Sequence, residues 1–329
     1  MKTLYLVSIA LAVCAGARAQ DSTPNSYTET NLVSDIAGKA ANIDPNLVNP
    51  WGLSRSATTP WWVSDEGSGL ATLYDGDGTI GTLVVTIPPA SGTGKGSPTG
   101  GVSSGSAFVF VTLDGTISEW TTGTEAVIKV NNSTNGAVYT GVAVASYGQT
   151  LFYAANSAGG IEAYTTAFSR VTLLPGAFTD PNIPAGYAPY GIQEAGGNLW
   201  VTYTSGAGVG NGYVDEFTPG GALLLSLEHG NWFDEPWGVA VAPAGFGRFS
   251  SAVLVANTGS GEVVAFNPTT GSFAGVLKNS GGTAIKIPGL WAIGFGAGGD
   301  SGPTTTLYFT AGVDNYAKGI FGSITTNAN

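Results

Sequence analysis

Six times along this 329-residue chain a short apolar strand opens on a small residue with a variable residue in front of it. The openings are Trp51-Gly52-Leu53, Gly100-Gly101-Val102, Thr140-Gly141-Val142, Tyr190-Gly191-Ile192, Trp237-Gly238-Val239 and Trp291-Ala292-Ile293. They recur roughly every 40 to 54 residues, with several strand-like runs in each interval, which is the signature of a β-propeller. The spacing predicts an all-β, six-bladed propeller with four-stranded blades and no linker between separate domains.

Each opening is followed by a second run of β-branched and aromatic residues: Trp61-Trp62-Val63, Phe108-Val109-Phe110-Val111, Leu151-Phe152-Tyr153, Leu199-Trp200-Val201, Val253-Leu254-Val255 and Leu307-Tyr308-Phe309. Third strands follow glycine-containing turns, as from Gly69 to Tyr74, Gly115 to Trp120 and Gly261 to Phe266. Fourth strands are expected at Leu83-Val84-Val85, Val127-Ile128, Val171 to Leu174, Leu223-Leu224-Leu225 and Phe273 to Leu277. The sixth unit has none of its own. The segment around Thr30-Asn31-Leu32-Val33 is expected to supply it and close the ring, which would protect edges that an open array leaves bare. Two proline-containing segments, Asp44 to Pro50 and Asp180 to Pro184, resemble one another and are expected as ordered loops on one face.

The composition fits secretion without disulfides. Lys2, the apolar run Leu4 to Val13 and Ala17-Arg18-Ala19 form a leader with a cleavage site, so residues 1–19 read as a signal peptide and residues 20–329 as the propeller. Cleavage removes Cys14, the sole cysteine, and two of the 11 basic residues but none of the 22 acidic ones. Val13 is too large for a lipoprotein site at Cys14. The acidic balance tells against a nucleic-acid partner, and no apolar stretch after the leader is long enough to span a bilayer. A secreted or periplasmic location is expected.

No catalytic constellation stands out. The variable column in front of the openings holds Trp51, Gly100, Thr140, Tyr190, Trp237 and Trp291. If the openings are the innermost strands, these positions ring one mouth of the channel, and Asn49 and Glu235 stand two residues before Trp51 and Trp237. Asn49, Trp51, Tyr190, Glu235, Trp237 and Trp291 are therefore the candidate binding residues. The competing role for the rings is packing between blades, since aromatic side chains bury so much area. Asp65, Asn156 and Asn257 recur after second strands beside Gly and Ser, where capping of the local turn suffices. Asp75-Gly76-Asp77-Gly78 has part of a calcium-loop pattern but lacks its distal Glu, so a hairpin turn is expected. His229, the one histidine, has acidic neighbours in sequence but no G-x-S-x-G partner. Asn131-Asn132-Ser133-Thr134 holds two overlapping glycosylation sequons.

The units are similar to NHL-type blades, and the chain resembles an uncharacterised family of exported six-bladed propellers, some of which carry a PEP-CTERM sorting tail. The resemblance rests on Asn31 to Asp35, Asp44 to Leu53, Asp114 to Ser118, Pro184 to Tyr190, Pro236-Trp237-Gly238, Gly289-Leu290-Trp291 and Leu307 to Gly312. It implies the fold and export, and brings no established activity. This chain lacks the sorting tail, and Tyr316-Ala317-Lys318-Gly319 replaces a more acidic, histidine-containing stretch. The expected role is a non-enzymatic propeller that presents a face to an extracellular protein, peptide or glycan, without a cofactor. The alternative is a lactonase-like, metal-dependent hydrolase with calcium or another divalent ion held by Glu235, Asn49, Asn156 and Asn257, and His229 as base.

Overall fold

The computed structural model describes residues 26–327, residue 106 excepted. The leader and Cys14 lie outside the described residues. Six sheets, antiparallel except for one added strand, form six blades, and neighbouring sheets meet along their first strands, in the ring order of the sequence. These inner strands are Pro50–Ser54, Pro98–Ser103, Tyr139–Tyr147, Ala188–Ala195, Pro236–Val241 and Leu290–Phe295. All six coincide with the repeated openings.

Second strands are enclosed on both faces because each blade is sandwiched between two others. Trp61–Asp65, Phe108–Thr112, Val253–Asn257 and Leu307–Gly312 are buried throughout. This explains why they read as continuous apolar runs rather than as alternating strands. The outermost strands are largely exposed or half-buried, and in blades one and three they are shorter than the apolar runs suggest. In blade one the run Leu83-Val84-Val85 pairs only at Val85–Thr86, and in blade three only Arg170–Val171 pairs.

The ring closes as the strand count predicts. Tyr27–Ser34 pairs antiparallel with Lys318–Thr326, the third strand of blade six, from Tyr27 opposite Thr326 to Ser34 opposite Ile320. A fifth, parallel strand, Asn42–Ile43, is added outside it and was not expected from the sequence. The closing strand also joins the core between blades five and six. Tyr27 is buried with Leu254, Phe246, Phe249, Leu307 and Phe309, and its hydroxyl donates to the Phe246 carbonyl at 3.1 Å. Among the described residues no helix is long and apolar enough to cross a membrane.

Candidate functional site

The opening glycines set the width of the channel. A Cβ on Gly52 would lie 2.8 Å from Gly100 Cα, and one on Gly238 would lie 2.6 Å from the Trp291 carbonyl oxygen. Glycine is used where backbones approach this closely. Threonine hydroxyls of the first and second strands then latch one blade to the next. Thr310 Oγ1 accepts from the Ala292 N–H at 3.1 Å in its own blade and donates to the Trp51 carbonyl of blade one at 2.7 Å. Thr202 accepts from the Gly191 N–H at 2.8 Å in its own blade and reaches the Trp237 carbonyl of blade five at 3.5 Å, and Thr99 on the first strand of blade two donates to the Tyr139 carbonyl of blade three at 2.8 Å.

In a ring this narrow, the aromatics of the variable column meet across the axis. Trp51 and Trp291 stack with centroids 3.7 Å apart and planes 20° apart, and Trp237 stands edge-on to both at 6.5 and 6.2 Å. Trp51, Trp237 and Trp291 are only 8, 2 and 2% exposed, so they fill the channel where its strands begin, here the proximal mouth, rather than line an open depression. Two indole N–H groups are bonded, Trp237 Nε1 to the Thr140 carbonyl at 3.0 Å and Trp291 Nε1 to Asn49 Oδ1 at 3.2 Å. Trp51 Nε1 is buried without an acceptor.

What reaches solvent is built on top of this plug. Tyr190 is partly exposed with its ring 5.9 Å from Trp291, and Tyr316 is exposed and lies 5.7 Å from Trp291 on the other contact. Tyr316 arrives there through an unusual turn: Asp314, Asn315 and Tyr316 have φ of 51°, 55° and 66°, three successive non-glycine residues in the left-handed region. Asn49 and Glu235 are left-handed too, at 46° and 54°. Asn49 Nδ2 donates to Glu66 Oε2 at 2.7 Å. Burial, and then the neighbouring Asp234, push the Glu235 carboxyl above its ordinary range. Burial first, and then the Glu235 charge, raise both the Tyr190 and the Tyr316 phenols. The candidate residues Asn49, Trp51, Tyr190, Glu235, Trp237 and Trp291 are thus brought together, and Tyr316 joins them from a loop that the repeat pattern did not single out.

The two similar proline loops deliver buried carboxyls beside this face. Asp44 accepts the Asn46 N–H at 2.9 Å and the Tyr74 hydroxyl at 2.9 Å; Asp180 accepts the Asn182 N–H at 2.8 Å and the Ser226 hydroxyl at 3.1 Å. Each stands near a second buried carboxyl. Asp65 is wholly buried and takes one hydrogen bond, from Thr72 Oγ1 at 2.8 Å, while its other oxygen has none. Burial, and to a lesser degree Asp44, raises Asp65 well above the carboxylate range. Burial, offset by Ser226 and reinforced by Asp180, pushes Asp215 up to about 7. Asp65 therefore bonds inside its blade instead of capping its turn as expected.

Asn156 does cap its turn, accepting the Ala158 N–H at 3.1 Å, and its amide donates to Glu162. Asn257 reaches the preceding loop instead, accepting the Asp234 N–H at 3.0 Å and donating to the Trp232 carbonyl at 3.1 Å. His229 is exposed, stacked on Tyr213 at 4.3 Å with Nδ1 3.0 Å from the Gly212 carbonyl. The Asp75 to Gly78 segment is a turn, with the Gly78 N–H bonded to the Asp75 carbonyl at 2.9 Å. Among the described residues no three His, Cys, Asp or Glu side chains are grouped so as to hold a metal.

At the other end of the channel, the distal mouth, a cavity of about 360 Å³ is lined from all six inner strands, including Ser54, Arg55, Val102, Val142, Glu194, Val241 and Phe295. Arg55 is committed there, donating to the Phe295 carbonyl at 2.9 and 2.7 Å and lying 5.3 Å over Trp61.

No family model matches the chain. It is 26% identical over 325 residues to an uncharacterized protein of Acanthamoeba polyphaga mimivirus, covering 89% of this chain and 78% of that one. Its fold is similar to a catalytically inactive variant of virginiamycin B lyase from Staphylococcus aureus with quinupristin, at TM-score 0.52 and 15% identity, over 92% of this chain and 99% of the lyase. It is also similar to the soluble aldose sugar dehydrogenase of Escherichia coli, at TM-score 0.58 and 10% identity, over 92% of this chain and all of that one. These likenesses establish the propeller fold, which serves unrelated activities.

Proposed function

We propose that this chain is an exported, non-enzymatic propeller that binds a protein, peptide or glycan at its proximal mouth. The observation that carries this reading is the distribution of backbone strain. Among the described residues, five of the eight non-glycine residues with positive φ, namely Asn49, Glu235, Asp314, Asn315 and Tyr316, stand on the loops around this mouth. Each such residue costs on the order of 1–3 kcal/mol, and such costs gather where function over-determines the geometry. The plug beneath makes the platform rigid, so little ordering entropy is lost on binding. The leader supports export.

The test is a melting screen of the purified protein against peptides and glycans, run in parallel on Tyr316→Ala and on Glu194→Ala at the distal cavity. The reading expects a ligand whose stabilisation is lost in Tyr316→Ala and kept in Glu194→Ala. The reverse pattern would move the binding face to the distal mouth and overturn it.

A further inference from the structure

The proximal mouth carries acidic charge that no ion pair among the described residues balances. The four ion pairs among the described residues are Lys129–Glu119, Arg170–Glu162, Lys286–Glu262 and Lys318–Asp35. None involves Glu66, Asp234 or Glu235. Glu66 is bonded to the Asn49 amide, and Asp234 accepts the Gly208 N–H at 2.8 Å. Glu235 differs from both. It is half-buried, its carboxylate takes no hydrogen bond among the described residues, and the nearest influences on it are burial and the like charge of Asp234. A partly desolvated, unpaired carboxylate is unfavourable unless it takes up a proton or a cation arrives.

Its surroundings suit one kind of cation. Tyr190 and Tyr316 both pack against Trp291, at 5.9 and 5.7 Å, and both lie near enough to Glu235 to feel its charge, so aromatic rings stand beside the carboxylate. Aromatic faces attract ammonium groups, and a primary ammonium has three N–H donors to set against a carboxylate and two phenol oxygens. A neutral glycan would bury Glu235 further without balancing it. We propose that the proximal mouth recognises a primary ammonium group carried by a peptide, with Glu235 as counter-ion and Tyr190 and Tyr316 as flanking walls. This rests on the reading of that mouth as the binding face.

The experiment titrates n-butylammonium and its neutral counterpart n-butanol into the whole protein at low salt, followed by calorimetry and by the fluorescence of the Trp51–Trp291 stack. Saturable binding of the ammonium, about tenfold tighter than the alcohol and weakened about tenfold by Glu235→Gln and by Tyr316→Ala, is the expected result. Tyr316 is exposed, so its removal leaves the core intact, which melting verifies. Equal binding of amine and alcohol, or an unchanged affinity in Glu235→Gln, overturns the ammonium site. If the amine fails while another ligand still loses its stabilisation in Tyr316→Ala, only this inference falls. If the amine fails and no ligand answers to Tyr316→Ala, the mouth falls with it.

Discussion

The two mouths of one channel are built from the same six strands and come out chemically opposite. The proximal mouth is filled by three tryptophans, strained in its loops and acidic, with unpaired hydrogen-bonding groups at its surface. The distal mouth is a cavity of about 360 Å³ lined by valines together with Ser54, Glu194 and Phe295, and its arginine is already bonded to backbone. The blades repeat and so cannot by themselves make this difference. It comes from the variable residue in front of each opening Gly, or Ala292 in blade six, and from loops of unequal length on the proximal side. A repeated scaffold fixes the channel, and departures from repetition decide which end does something.

The largest test of that contrast is Trp291→Ala. Its side chain is 2% exposed and touches Trp51, Trp237, Tyr190 and Tyr316, so truncation is expected to destabilise by about 3–5 kcal/mol in urea titration. Val241→Ala at the distal rim, where Val241 is 39% exposed, is expected to change stability by less than about 1 kcal/mol. Comparable losses at the two sites would mean that the proximal rings do not form a plug.

Acidity should separate the mouths next. Asp65 and Asp215 beside the proximal loops have folded pKa values above their unfolded ones, so the native state binds more protons than the unfolded chain. Their stabilising contribution is complete below the unfolded carboxyl range and is lost as pH rises, for Asp215 through about 7. A tenfold difference in proton affinity between the folded and unfolded states is worth about 1.4 kcal/mol, so the loss between pH 4 and 8 is on the order of 2–4 kcal/mol for Asp215. Asp77 on the distal side behaves oppositely. It is held below the ordinary range by hydrogen bonds from Thr79, and its small contribution disappears only in acid. Hydrogen exchange, corrected for intrinsic rate, is expected to accelerate in residues 180–188 between pH 5 and 8 but not around Asp77. Asp215→Asn should flatten the pH profile, and a profile unchanged in that variant would refute the carboxyl pair.

The sequence carried the ring but not the plug. Opening glycines recur in five of the six units, with Ala292 in the sixth, because neighbouring inner strands approach closely, so one local demand is written around the ring. Counting strands likewise pointed to the segment around Thr30-Asn31-Leu32-Val33, which lies within the closing strand Tyr27–Ser34. Whether Trp51, Trp237 and Trp291 line a mouth or fill it depends on the channel radius, which only the assembled ring sets. Asp44 and Asp180 were visible as the heads of similar loops. Their pairing with Asp65, legible only as a turn residue, and with Asp215 was not, because those carboxyls come from strands later in the chain and depend on register. Tyr316 was hidden for a different reason: three left-handed non-glycine residues contradict local preference, so no local pattern announces them.

The smallest effects make the sharpest comparison, because one chemical change can be made at both ends. Thr310→Val removes the latch hydroxyl and leaves the buried Trp51 carbonyl and Ala292 N–H short of a partner, which should cost about 1–2 kcal/mol. Ser54 sits at the distal end of its inner strand, where its buried hydroxyl has no hydrogen-bond partner. Ser54→Ala deletes an unsatisfied group instead of a satisfied one, so its effect should lie within about 0.5 kcal/mol of zero or be stabilising. Urea midpoints of the two variants measure the difference directly. A loss at Ser54 equal to that at Thr310 would show that the distal hydroxyl also serves as a latch, and the asymmetry of the channel would then reside in its side chains alone.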